Sequence, residues 1–176
     1  KHTALIVIDM QNDFTHKDGY YASLGLDLSM VNEIVPNIQK LLETARKNNV
    51  MVIYTKFTIA KNFVSDSPLW LQTHHKAGLK SLYQEKFFTL DNTWGNEIID
   101  ELTPEENDIV IKKYRASAFI GTELEVLLRS HGIKSLVVTG QVTQGCVENT
   151  VRMARDLDFY TAMVSDAVAS TNKKFH

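Results

Sequence analysis

The 176-residue chain has a single cysteine, so no disulfide can form within it. A lone thiol stays free in a reducing compartment, and nothing at the N-terminus has the charged, apolar and small-residue order of a secretory signal. A cytoplasmic protein is expected. Only three prolines and eight glycines are present, with no internal repeat or low-complexity tract, which leaves no candidate linker between domains. Like charges meet only in short pairs such as Glu105-Glu106 and Lys112-Lys113, and the formal charge is -2. That is no footprint for nucleic acid or an anionic membrane surface. The apolar run at residues 4–8 is far too short to span a bilayer.

What is present reads as one α/β domain. Hydrophobic residues make up 44% and charged residues 23%, the balance of an ordinary globular chain. The length suits one core over residues 1–176. The start at Lys1 and the stop at His176, just after a strand and polar turn, suggest that a few flanking residues are missing. Five β-branched runs stand out at 4–8, 50–55, 108–111, 135–139 and 159–164. Most are continuously apolar, as strands buried on both faces of a parallel sheet are. Between them Ile34, Val35, Ile38, Leu41, Leu42 and Ala45 form one helical stripe, with Pro36 tolerable only in its first turn. Thr122-Glu123-Leu124-Glu125 reads as a capping box, and Gly132 as that helix's stop. A further helix is expected over residues 146–157. The alternation predicts an open, doubly wound, mostly parallel sheet flanked by helices. Residues 56–96 are irregular yet carry Trp70, Leu71, Leu79, Leu82, Phe87, Phe88 and Trp94. They are expected to pack over one sheet edge as a lid or a subunit contact.

Open α/β sheets bind ligands beyond the carboxyl ends of their strands. The first strand ends at Asp9, the third at Lys112-Lys113, and the fourth leads through Gly140 to Cys146. An acid, a cation and a thiol thus converge on one rim, where adjacent strands lie about 4.8 Å apart. Cys146 at a helix start, with a lysine nearby, is expected to have a depressed pKa. Singly, each residue has a plainer role: Cys146 as a small buried hydrophobe, Asp9 as a turn former, the lysine as a solvated charge. His74-His75 are neighbours that rarely share a metal, and no HExxH, CxxC or Asp-x-His spacing occurs, so no metal is expected. The absence of GxGxxG, Walker A and GxSxG patterns argues against nucleotide cofactors and a serine hydrolase.

Three segments carry a resemblance that covers nearly the whole chain. They are Leu5-Ile6-Val7-Ile8-Asp9-Met10-Gln11-Asn12-Asp13-Phe14, then Lys113-Tyr114-Arg115-Ala116-Ser117-Ala118-Phe119, then Thr139-Gly140-Gln141-Val142-Thr143-Gln144-Gly145-Cys146-Val147-Glu148-Asn149-Thr150. In this order the chain resembles the isochorismatase-like cysteine hydrolases, and in pattern it is nearest to ureidoacrylate and N-carbamoyl amidohydrolases. The resemblance implies a triad of Asp9, Lys113 and Cys146, with Lys113 chosen over Lys112 by the K-x-R-x-S-x-F pattern. It also implies a cis peptide between Gln141 and Val142, with the Val142 and Cys146 N–H groups as oxyanion donors. The implied reaction is hydrolysis of a small amide, ureide or carbamoyl C–N bond through a thioester, without a cofactor. A homo-oligomer, dimer or tetramer, is implied too. Alternatives are an isochorismatase-type ether hydrolase, or a non-catalytic member that binds a ligand or partner. Tyr54-Thr55-Lys56-Phe57 stands where nicotinamidases resemble one another in an Asp-x-His site, which argues against nicotinamide. Gln11, Phe14, Trp94, Arg115 and Phe119 are candidates for the substrate pocket, each with a core or surface role as the alternative.

Overall fold

The computed structural model describes residues 2–69 and 88–176. Five strands form one parallel sheet: β1 (Thr3–Ile8), β2 (Met51–Phe57), β3 (Ile109–Lys113), β4 (Ser135–Gln141) and β5 (Tyr160–Ala169). Their order is β3-β2-β1-β4-β5, so the chain winds outward from β1 in one direction and then in the other. The direction reverses between β1 and β4, and a doubly wound sheet places its ligand crevice at such a point.

The apolar runs are continuous because both faces of the sheet are covered. Ala4, Ile6 and Ile8 point to one side, where they meet Ile53, Ile111, Leu124, Leu128, Val147 and Ala154. That side carries α5 (Leu124–Ser130) and α6 (Glu148–Asp156). Leu5 and Val7 point to the other, against Ile38, Leu42 and Ala45 of α4 (Val35–Lys47). Pro36 lies in the first turn of α4, where its missing N–H breaks no helical bond. Short helices α1 (Asn12–Thr15), α2 (Tyr20–Ser23) and α3 (Ser29–Glu33) link β1 to α4. Among the described residues no helix is long and apolar enough to cross a membrane.

Two local expectations need correction. The capping box before α5 does not form: Thr122 accepts from the Leu124 N–H and donates to the Ala118 carbonyl, so its hydroxyl closes a turn instead. The helix expected from residue 146 begins at Glu148, after a π-helical turn over Thr143–Val147. The backbone at Gly145 (φ -114°, ψ -105°) interrupts that turn. Strands also run further toward their carboxyl ends than their apolar runs suggest, because Lys113 and Gln141 remain in the ladder. Of the irregular segment, Phe88 and Trp94 are described, whereas Trp70, Leu71, His74, His75, Leu79, Leu82 and Phe87 lie outside the described residues. Its described ends are stitched to the carboxyl rim: Thr58 N–H donates to the Lys113 carbonyl, and Ile59 exchanges bonds with Thr89 and Asp91.

Candidate active site

Asp9 follows β1 directly, and a left-handed turn (φ 51°) takes the chain out of the sheet there. Aspartate tolerates that conformation better than most residues. The Thr55 hydroxyl, at the register partner of Ile8 on β2, donates to Asp9 Oδ1 at 2.7 Å. Lys113 Nζ lies 2.7 Å from Asp9 Oδ2 and 3.0 Å from Cys146 Sγ. The structure therefore brings together the three residues drawn from the strand ends. It does so across a longer gap than adjacency implies. β3 is two strands from β1, about 10 Å away, and the lysine stem bridges the distance. On the way its ammonium sits 4.9 Å from the ring centre of Phe57, its register partner on β2. The Arg115 and Ala116 carbonyls accept further bonds from Nζ. Lys112 points outward to Asp91.

Electrostatics differ from the sequence expectation. Burial, opposed by the Lys113 ammonium and reinforced by the Asp9 carboxylate, pushes the Cys146 thiol up to about 12. The expected depression fails because α6 begins two residues later and the half-buried cysteine sits beside a carboxylate. Burial alone favours a neutral Lys113 amine, but Asp9 and Cys146 outweigh it and raise the lysine. The resting site is thus an ion pair with a neutral thiol in contact with both members. Its total charge is zero, which suits a buried cluster.

The turn that presents Cys146 depends on two glycines. At Gly140 (φ 105°) a Cβ would collide with the Ile8 carbonyl oxygen, so only glycine lets β4 pass this close to β1. A Cβ on Gly145 would lie 2.9 Å from the Val142 side chain. The Gln141–Val142 peptide is cis. The Val142 carbonyl accepts from the Gly145 and Val147 N–H groups and closes the turn around the cysteine.

The five pocket candidates stand in different surroundings. Phe14 packs with Phe57 and Phe88 in an aromatic cluster that Cys146 and Tyr21 also touch. Gln11 does not line a pocket: it is fully buried, and its amide bonds the Phe57 N–H, the Phe57 carbonyl and the Asn96 carbonyl. Phe119 is a core residue stacked on Phe159, which precedes β5 at the opposite end of the sheet. Trp94 is 52% exposed and meets His16 edge-on. Arg115 donates to the Ser65 and Tyr114 carbonyls, so its guanidinium braces the irregular segment while its own carbonyl holds Lys113. Sequence reasoning missed Thr55 and Tyr21. The position of Thr55 at the end of a central strand was the available signal; Tyr21 had none, since only packing brings α2 to the thiol. Each residue of Tyr54-Thr55-Lys56-Phe57 has another partner: Arg46, Asp9, Glu97 and Lys113 respectively.

Known proteins resemble the chain over nearly its whole length. Residues 3–176 match the family described as Isochorismatase domain. Ureidoacrylate amidohydrolase RutB of Agrobacterium fabrum is 35% identical over 173 residues, covering 94% of this chain and 75% of that protein. A cysteine hydrolase from Pseudomonas syringae pv. phaseolicola superposes with a TM-score of 0.81 at 28% identity, over 96% of this chain and 73% of that one. N-carbamoylsarcosine amidase from Thermoplasma acidophilum gives 0.76 at 28% identity, over 97% and 85%. The family model spans nearly the whole chain, and the solved relatives share its fold: the chain belongs to the isochorismatase family.

Proposed function

We propose that the protein is a cysteine hydrolase of small amides, ureides or carbamoyl compounds, with Asp9, Lys113 and Cys146 as its catalytic residues. One observation carries the reading: a buried lysine lies within hydrogen-bond reach of both a carboxylate and the one thiol in the chain. A ureidoacrylate amidohydrolase and an N-carbamoylsarcosine amidase among its relatives support hydrolysis of a non-peptide C–N bond.

The resting protonation state assigns the steps. Asp9 accepts the thiol proton as Cys146 Sγ attacks the carbonyl carbon, so the thiolate exists only as the C–S bond forms. Lys113 balances the charge that moves from carboxylate to sulfur. The carbonyl electron pair shifts to oxygen, where the Val142 and Cys146 N–H groups are the proposed donors. Collapse breaks the C–N bond, and Asp9 returns the proton to the departing ammonia or amine. Water then loses a proton to Asp9 as it attacks the thioester. Breakage of C–S restores the thiol with that proton. The same reading makes the protein a cytoplasmic enzyme and a homo-oligomer, dimer or tetramer. Exposed Tyr160, Met163 and Phe175 offer apolar surface for self-association, which light scattering tests.

An ammonia-release screen over ureides, carbamoyl compounds and primary amides tests the activity. Turnover by the wild type and its loss in Cys146→Ala is the expected result. Equal turnover in the variant, or none from any compound in the wild type, overturns the assignment.

A further inference from the structure

Two consecutive tyrosines on α2 reach the aromatic wall, and their phenols have different surroundings. Tyr20 stacks on Phe88 with centroids 5.2 Å apart, and the charge it senses is that of Asp13. Tyr21 lies 4.8 Å from the Phe14 ring, and the ionisable groups near it are Cys146, Asp9 and Tyr20. Tyr21 and Cys146 border one cluster of Phe14, Tyr20, Phe57, Ile59 and Phe88. Among the described residues the Tyr21 hydroxyl has no hydrogen-bond partner. Tyr21 is half-buried, so this hydroxyl stays open to water or to a ligand that offers a partner. Here the neighbouring Phe14, Phe57, Ile59 and Phe88 side chains are hydrocarbon and cannot supply it. Burial raises the phenol above its ordinary range and the nearby Asp9 carboxylate adds to this, so it remains an O–H donor wherever the site works.

We propose that Tyr21 is a specificity-determining residue of this active site. Its hydroxyl donates to a carbonyl or carboxylate oxygen of the substrate other than the scissile carbonyl, while its ring closes the wall beside Phe14. The inference rests on the amide and ureide reading above. That reading assigns the scissile oxygen to backbone N–H groups, so a side-chain donor facing the same space addresses a second oxygen. The substrate class is thereby narrowed to small ureides or amides bearing another oxygen acceptor, such as an acid group. An alkyl urea without one would leave the phenol unpaired in the complex, and a site built to bond a polar group rejects an analogue lacking it.

The test uses Tyr21→Phe, which keeps the ring against Phe14, with ureidoacrylate as the probe. The expected result is a KM raised about tenfold with kcat within about threefold, the signature of one lost ground-state hydrogen bond. Alkylation of Cys146 by iodoacetamide, which does not require that bond, should proceed at the wild-type rate. An unchanged KM, or a parallel fall in kcat and alkylation, overturns the proposal; the second result would make Tyr21 a structural support. If the wild type turns over no amide or ureide at all, the proposed function fails separately. Ureidoacrylate should still slow alkylation of Cys146, with protection about tenfold weaker in Tyr21→Phe. Equal protection in both proteins, or none in the wild type, then overturns the assignment of Tyr21.

Discussion

Lys113 and Tyr21 flank the same sulfur but are held there by different means. Lys113 belongs to the sheet: its backbone is in register with Phe57, and its ammonium is tied to Asp9, Cys146 and two carbonyls. Tyr21 stands on a four-residue helix, held by ring contacts, with its hydroxyl unpaired among the described residues. The rim is therefore a closed network that fixes proton positions, whereas the wall leaves a donor open to whatever binds. On the proposed reading, one region decides which chemistry occurs, and the other decides on which molecule.

That contrast can be broken at the rim first. Replacing Lys113 with Ala leaves the Asp9 carboxylate buried without its cation, a change that typically costs about 3–5 kcal/mol. Denaturant titration should register that loss, and ammonia release should disappear with it. Lys113→Met fills the volume and removes the charge; it should fold better than the alanine variant yet stay inactive. If either variant keeps wild-type turnover, the lysine is not part of the chemistry.

Asp9→Asn separates proton transfer from thiol reactivity. Turnover should fall about 10²–10⁴-fold, the usual value of a general base. Iodoacetamide should move the opposite way. The carboxylate raises the thiol, so the wild-type alkylation rate keeps climbing with pH toward about 12, and the amide variant should reach its plateau at lower pH. A profile displaced upward in Asp9→Asn would contradict the resting state described for this site.

Gly140→Ala sharpens the link between sheet and site. The new Cβ meets the Ile8 carbonyl in a backbone conformation that suits glycine, so a loss of about 1–3 kcal/mol is expected by denaturation. The smallest effect belongs to the neighbour of Lys113. Lys112→Ala removes one half-exposed pair with Asp91, and stability should change by less than about 1 kcal/mol with activity intact. Two adjacent lysines thus differ by the face of one strand.

The same division explains what could be read from residues alone. Continuously apolar runs at β1 and β2 announced strands covered on both sides, and the winding followed from their alternation with helices. Asp9, Lys113 and Cys146 were within reach because a strand end has a fixed place in a doubly wound sheet. Choosing Lys113 over Lys112 needed the family pattern, although the edge strand β3 alternates, with Ile111 and Lys113 on its buried side. The thiol's protonation was misread because burial and a carboxylate outweigh a helix terminus that lies two residues further on. Gln11 and Phe119 were misplaced for a related reason. An amide that bonds three backbone groups and a phenylalanine stacked at the far end of the sheet look, in sequence, like any polar or aromatic pocket residue. Side chains held by loop packing leave no period to read.

The most direct test of the account is the mass of the protein quenched with acid during turnover of a ureide or amide substrate. A thioester through Cys146 predicts a transient adduct equal to the substrate's acyl group, carried on the peptide that contains Cys146 and lost on standing at neutral pH. Steady turnover with no adduct at any quench time, together with undiminished ammonia release from Cys146→Ser, would contradict it.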